Sequence, residues 1–358
     1  MDVSKEDILG GFVNAALLLY ALILSPTIVA GGVGMEFFGA LMTTTIIVTI
    51  IFTLANGIYA KVPFAQSVYM GENAFFAFSL VGAGIPFATA LGIVFWAGVL
   101  FFIFSVSGLR RRFGRAIPRN LSLIWGFAVA AFLPYLAFFD AGLFKANTAS
   151  GMPTLPVDYR NLSVLSFFPY LILIFLLIEL VDVTGTLKAL VAPLKLEDEE
   201  KVIDKVMHVE GVSTAAGALF GQPTVGTYIE SSGALAVGAR TGMASVITAV
   251  VFIPVLFITP FFGKLPFWLL LWATAPALAA VSGYILVKVL QEIDFRIPGN
   301  VFLLILTLPG IFSGNLLIAF VLPMIALSGL EYLTEGKARA SDLIISLIGL
   351  VTLALYHF

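Results

Sequence analysis

Residues 178–190 read IELVDVTGTLKAL and follow directly on the apolar run FFPYLILIFLL. Glu179 and Asp182 stand one helical turn apart in it, and Thr186 lies a further turn on, so all three fall on one helix face. Gly185 opens the backbone beside them. A carboxylate at the centre of a bilayer costs about 2.5–3.5 kcal/mol on insertion scales, so an acid there faces a partner or a cavity. Further polar residues interrupt two other apolar stretches. Glu72 and Asn73 lie in VPFAQSVYMGENAFFAFSLVGAG (62–84), and Glu230 lies in FGQPTVGTYIESSGALAVGA (220–239).

A carboxylate offers two acceptor oxygens and suits a planar ligand with adjacent N–H donors. Withdrawn from water, a carboxyl is harder to ionise and can hold a proton near neutral pH. Those two properties together are what a proton-coupled carrier of a neutral, hydrogen-bonding solute needs. The only nearby base is Lys188, near a helix end, where it can snorkel to water. Each residue also has a plainer use. Glu179 could sit structurally between helices, Glu72 could cap a half-helix, and Asn73 could satisfy loose backbone. Asp182 beside TGT and Glu230 in TYIESSG read better as functional. Phe75, Phe76 and Phe78 read as packing in a chain with 33 Phe. Asp140 falls at a span end and reads as interfacial. His208 and His357 are too far apart to suggest a metal pair, and no metal site or cofactor is expected.

The elements that must position these residues are membrane spans. The chain has 358 residues, 60% of them hydrophobic and only 11% charged, against about 25% charged in soluble domains. Its apolar runs match a hydrocarbon core of ~30 Å. They are continuous, unlike the alternating segments of a β-barrel. The reading is an all-α integral membrane protein. A net charge of −2 argues against nucleic acid as a partner. The absence of cysteine excludes disulfides and thiolate metal sites. The opening MDVSKEDILGG lacks a basic region and cleavage site, so the first span is expected to be retained.

Hydropathy and helix breakers predict spans near 8–31, 36–60, 63–83, 84–107, 117–139 and 162–190. Seven more follow near 207–222, 223–238, 241–262, 267–290, 299–313, 315–332 and 341–357. The basic segment GLRRRFGRAIPRN, with Arg110, Arg111, Arg112, Arg115 and Arg119, predicts a cytoplasmic loop and hence a cytoplasmic N-terminus. KLEDEEKVIDK, Arg240, Arg296 and EGKARA fall on the same side by alternation. The stretches 62–84 and 220–239 are too polar and glycine-rich for plain helices. Irregular backbone at membrane depth is tolerated where it is buried in protein or lines a cavity. A matched pair of interrupted spans in two halves points to a transporter's midplane site.

At these residues the sequence resembles the nucleobase:cation symporters, and among them the AzgA-like branch of adenine, guanine and hypoxanthine permeases. VDVTGTL (181–187) is similar to that branch's eighth-span signature F-D-T-T-G-T-L. TVGTYIESSGALAVGARTGMASV (224–246) is similar to its tenth-span signature T-V-T-T-Y-I-E-S-A-A-G-V-x-x-G-G-R-T-G, and MGENAFFAF (70–78) resembles M-G-L-N-A-F-F-A-Y of its third. The resemblance covers about residues 10–335 and implies two inverted repeats of seven spans, divided into core and gate domains, with broken third and tenth spans. It implies a core first half at 1–107, a gate segment at 108–161, a core second half at 162–262 and gate spans at 263–340. An additional C-terminal helix occupies 341–358, for about 12–13 spans in all.

By the same resemblance Asp182, Glu230 and Asn73 bind the base, with Phe75, Tyr228, Ile229 and Thr186 near it. Glu230, Asp182, Glu179 and Glu72 are the candidates for the coupling proton. Two departures stand out. Glu72 replaces an apolar residue, which adds a possible protonation site. Between Gly142 and the span at 162–190 only LFKANTASGMPTLPVDYRNLS is found, where the family has two gate spans.

The expectation is a cell-membrane, multi-pass, proton-coupled purine permease working by alternating access, with lipid bilayer and a possible homodimer as partners. The alternatives are a uracil or xanthine permease, an anion carrier as in related folds, or a base-binding protein that does not transport. Four intramembrane acids without a buried arginine argue against an anion. An enzyme is not expected, because neither a paired G-x-G-D aspartyl segment nor H-E-x-x-H occurs.

Overall fold

A computed structural model describes residues 3–82, 84–109, 118–139, 169–262, 283, 286–287, 289–313 and 315–355. Among the described residues, five helical runs are long and apolar enough to cross a membrane: Lys5–Val33, Met35–Ala60, Phe87–Val106, Pro169–Leu194 and Leu316–Leu333. Shorter apolar helices cover Asn120–Phe132, Met243–Thr259, Pro298–Phe312 and Ala340–Ala354. The expected span at 267–290 and the 142–162 connector fall almost wholly outside the described residues. So do Arg110, Arg111, Arg112, Arg115, Asp140 and His357.

The first run is two helices, α1 (Lys5–Leu18) and α2 (Ala21–Val33), joined at Leu19 and Tyr20. Ser4 caps α1 by accepting the Asp7 N–H, and Pro26 inside α2 withholds one backbone donor. Helix α3 (Phe38–Ala55) widens into a π turn over Asn56–Ala60 and ends at Lys61, whose φ of 60° is left-handed. The third stretch is broken as expected. Strand β1 (Gln66–Val68) leads to a short helix, α4 (Met70–Ala74), and a wide π segment over Phe75–Val81. Helices α5 (Phe87–Val106), α6 (Arg119–Phe139) and α7 (Pro169–Val191) follow.

Helix α8 runs over Glu199–Leu219 and corrects the expected span at 207–222. Its first turns, EEKVIDKV, are charged and read as loop, but Asp198 caps them by accepting the Lys201 N–H at 3.0 Å. Glu199 and Glu200 in the first turn suit the positive end of the helix dipole. The second broken stretch is strand β2 (Val225–Thr227), a 3-10 turn at Ile229–Ser231 and helix α9 (Ser232–Ala236). Helices α10 (Met243–Phe262), α11 (Pro298–Phe312), α12 (Leu316–Glu335) and α13 (Ala340–Leu355) complete the described elements.

Packing uses small residues for close approach, as expected where lipid gives no hydrophobic drive between helices. Between α5 and α8, a Cβ on Gly98 would come 2.5 Å from the Ala215 nitrogen, and one on Gly211 would come 2.6 Å from the Phe102 nitrogen. Bare glycine at both positions therefore sets the depth of α8. The main core gathers Phe75, Phe76, Phe132, Phe175, Phe252 and Phe320, all essentially buried. Helix α13 is held to α12 by Arg339, which bridges Glu331 and Asp342.

Candidate functional site

Strands β1 and β2 pair antiparallel, with Gln66 opposite Thr227, Ser67 opposite Gly226 and Val68 opposite Val225. A tyrosine follows each strand, and the two make reciprocal bonds. The Tyr69 N–H donates to the Thr224 carbonyl and the Tyr228 N–H to the Ala65 carbonyl, both at 3.0 Å. The Tyr69 hydroxyl donates to the Thr227 carbonyl at 2.8 Å, and the Tyr228 hydroxyl to the Val68 carbonyl at 2.5 Å. Their rings stack, centroids 5.9 Å apart and 16° from parallel. Gly226 makes room for this, since a Cβ there would lie 2.0 Å from a Tyr69 ring carbon.

Behind β1, the side chains bonded to the strand among the described residues are hydroxyls. Thr53 Oγ1 accepts the Gln66 N–H and donates to the Gln66 carbonyl, both at 3.0 Å. Thr49 and Ser67 share a bond of 2.8 Å, and Ser25 donates to the Val68 carbonyl at 2.9 Å. Behind β2 stand acids. Thr214 Oγ1 accepts the Val225 N–H at 3.2 Å and donates to Glu179 Oε1 at 2.8 Å. Glu210 Oε1 accepts the Thr227 N–H at 2.7 Å. Both carboxyls are fully buried, and the second oxygen of each lacks a hydrogen-bond partner.

Glu210 is the residue that sequence reasoning missed. With the helix start placed near 207, it fell at an expected span end; in fact it lies in the interior of α8. The available signal was a single acid in MHVEGVSTAAGAL, a stretch with no base after His208.

Of the expected site residues, Asn73 is buried and its N–H donates to the Tyr69 carbonyl at 2.9 Å. Neither its side-chain amide atoms nor the Glu72 carboxyl oxygens have a hydrogen-bond partner at bonding distance, though the Thr224 hydroxyl lies close to Glu72. Glu230 is half-buried and accepts from the Tyr20 hydroxyl at 2.5 Å, which engages the joint between α1 and α2. Asp182 sits among many protein atoms, yet its side chain is exposed, so it faces an opening rather than the packed interior. Thr186 is half-buried on the same helix, and open space surrounds Gly185.

Helix α7 packs against both β2 and the Ile229–Ser231 turn, which brings the elements bearing Asp182 and Glu230 together. Tyr228 lies within electrostatic reach of Asp182 and Glu230, and Tyr69 within reach of Asp182, Glu72 and Glu210. Asp182 is thus common to two acidic surroundings, one on each side of the stacked tyrosines. Ile229 is exposed at the turn. The Phe75 ring is buried against Phe175 and Phe320, at 4.9 and 5.8 Å, so it packs the core and leaves only backbone to meet a ligand. Among the described residues, no three His, Asp or Glu are arranged to hold a metal ion.

An exposed acid, a half-buried acid and two stacked tyrosines gather around the strand crossing, polar groups suited to a small hydrogen-bonding molecule. Residues 119–309, more than half of the chain, match the model of the Permease family (Xan_ur_permease). Guanine/hypoxanthine permease PbuO of Bacillus subtilis is 26% identical, over 88% of this chain and 90% of its own length. Adenine permease AdeP of Escherichia coli is 24% identical over 74% of each chain. Guanine/hypoxanthine permease GhxP of Escherichia coli O157:H7 is 25% identical over 81% of this chain and 80% of its own length. Among solved structures, the transmembrane domain of the cyanobacterial bicarbonate transporter BicA superposes with a TM-score of 0.60 over 97% of both chains. At 13% identity that likeness speaks to fold alone.

Proposed function

The chain belongs to the Permease family, a family of transporters and not of enzymes, and on that premise we propose that it carries purine nucleobases, coupled to protons. It is a multi-pass membrane protein, and the reading adds the cell membrane as its location with a cytoplasmic N-terminus. The substrate class is adenine, guanine or hypoxanthine, as the names of its relatives PbuO, AdeP and GhxP suggest.

One observation carries the reading. Asp182 and Glu230, on elements that pack together, both lie within electrostatic reach of Tyr228. A purine presents adjacent N–H donors in one plane, and two carboxyls at its edge can accept them. Asn73, with its amide free on both sides, offers a donor and an acceptor for the opposite edge. Thr186 lies on the Asp182 face, and the backbone of Phe75 and Ile229 lies at the two helix starts. A buried polar group left unpaired costs about 1–3 kcal/mol. A base filling these positions would recover that cost, which favours a polar solute over an apolar one. Transport would move the strand crossing and its helices as a body against the remaining helices, exposing these groups to one side and then the other.

The test is uptake of radiolabelled adenine, guanine, hypoxanthine and uracil into proteoliposomes, with and without an inward proton gradient. One purine should accumulate faster with the gradient. Asp182→Asn and Glu230→Gln should each weaken its binding at least tenfold, equivalent to ~1.4 kcal/mol. Wild-type affinity in both variants would overturn the site, and binding without uptake would make the protein a binder rather than a carrier.

A further inference from the structure

We propose that Glu179 and Glu210 are proton-linked positioning residues that set the place of strand β2, and so transmit the protonation state of the core to Tyr228, Ile229 and Glu230. The inference rests on the proposed transport reading but assigns the coupling to residues behind the strand rather than to the acids that face the base.

The two acids engage β2 at its two ends, one directly and one through a hydroxyl. Glu210 holds the Thr227 N–H directly, one residue before Tyr228. Glu179 reaches Val225 through Thr214. The Thr214 hydroxyl has one proton and two acceptors in reach, Glu179 Oε1 at 2.8 Å and the Val225 carbonyl at 3.2 Å. With Glu179 ionised, that proton is drawn to the carboxylate. When Glu179 takes a proton, its new O–H can donate to Thr214 Oγ1, and the Thr214 proton turns to the Val225 carbonyl. The strand thus reads the charge on an acid it does not touch. At Glu210 a proton added to Oε1 abolishes the bond from Thr227, while one added to Oε2 weakens it, because a neutral acid accepts less strongly than a carboxylate.

The second oxygen of each acid is fully buried and unpartnered, so each has a vacant position for a proton. The ionisable groups facing this pair are Tyr69, Glu72 and Asp182, with Tyr228 across the stacked rings. Helices α3 and α5, which pack on other sides of α8, carry no ionisable side chain. Neither of the nearby bases pairs with these acids. Lys188 is exposed in the last turn of α7, and His208 bonds Tyr59 at 3.0 Å away from the strand. With no cation among the described residues paired to them, Glu72, Glu179, Asp182 and Glu210 cannot all remain ionised at short range. Asp182, exposed one turn beyond Glu179 on the same face, links the buried pair to water. Protons would enter from one aqueous side through Asp182 and leave to the other after the core has moved.

The experiment measures purine affinity against pH for the purified protein in lipid nanodiscs, together with infrared titration of protonated carboxyl groups in the ligand-free protein. Affinity linked to one proton changes up to tenfold per pH unit. Glu210→Gln keeps an oxygen to accept the Thr227 N–H, so it should retain binding near wild type while flattening that pH dependence. Glu179→Gln should flatten it likewise, and each should remove intensity from the carboxylic C=O band. Glu210→Asp, which titrates but is too short to reach Thr227, should keep the band and weaken binding. Thr53→Val, on the other strand, should leave the pH profile unchanged. Wild-type pH dependence and an undiminished band in both glutamine variants would overturn the proposal. Failure of the wild type to bind any base would sink the transport reading instead, and the infrared arm alone would then decide this one.

Discussion

Thr53 and Thr214 occupy matching places, each with its hydroxyl set against the first residue of a strand, Gln66 in β1 and Val225 in β2. Thr53 returns its proton to the same residue it accepts from, closing a neutral ring with Gln66. Thr214 gives its proton to Glu179. The pattern repeats one turn earlier, where Thr49 meets Ser67 on β1 and Glu210 meets the Thr227 N–H on β2. The two strands therefore share backbone bonding and the exchange of tyrosines, yet one is backed by hydroxyls and the other by carboxyls. A framework of hydroxyl bonds is indifferent to pH across the physiological range; a framework of buried carboxyls is not. The difference suggests a division of labour in which β1 is a fixed reference and β2 the responsive half.

Gly226→Ala should break the comparison most. The added Cβ would lie 2.0–2.9 Å from three Tyr69 ring atoms, whereas the matching residue on β1, Ser67, already carries a side chain. Overpacking of this kind costs about 1–3 kcal/mol, and here it would also part the stacked tyrosines. A lowered unfolding temperature in detergent and loss of purine binding are expected. Ser67→Ala, which removes the bond to Thr49 and a hydroxyl beside Tyr228 but adds no bulk, should retain both.

Next in size is Thr214→Val against Thr53→Val. The first leaves Glu179 with neither oxygen partnered and strands the Val225 N–H. The second strands the Gln66 N–H and carbonyl, both neutral. An unsatisfied buried group costs about 1–3 kcal/mol and a charged one more, so Thr214→Val should destabilise more than its counterpart. Its deficit should also grow as pH rises and Glu179 ionises, while that of Thr53→Val stays level. Thermal unfolding of both variants across pH measures this directly, and parallel curves would erase the distinction between the strands.

Much of this arrangement was legible in the sequence because lipid leaves few options. Long apolar runs gave the helices, and glycine and polar residues inside two of them marked 62–84 and 220–239 as broken. What could not be read was which oxygen meets which donor. The role of Glu179 depends on a hydroxyl 35 residues away, and that of Tyr69 on a carbonyl 158 residues away. Glu210 escaped because the charged first turns of α8 resemble a loop until Asp198 is seen to cap them. Moving that helix start by two turns shifts Glu210 from a span end to the interior. Phe75 shows the converse. The resemblance placed its backbone near a ligand while the abundance of Phe read its ring as packing, and the ring does pack against Phe175 and Phe320.

The smallest expected effect is the most exacting check, because it requires the two strands to behave alike. Ser25 donates to the Val68 carbonyl at 2.9 Å, and Ser213 donates to the Val225 carbonyl at 3.0 Å. Each carbonyl has another donor within reach, the Tyr228 hydroxyl for Val68 and the Thr214 hydroxyl for Val225. Neither Ser25→Ala nor Ser213→Ala should therefore leave an orphaned acceptor, and each should cost only the net worth of one neutral hydrogen bond, about 0.5–1.5 kcal/mol. At low pH, where Thr214 is free to serve Val225, the two losses should match. At high pH, with the Thr214 proton drawn to Glu179, Ser213→Ala should become the costlier of the pair, since Ser213 is then the only side-chain donor left to that carbonyl among the described residues. Equal costs at every pH, measured by unfolding in detergent, would mean that Thr214 does not switch acceptors.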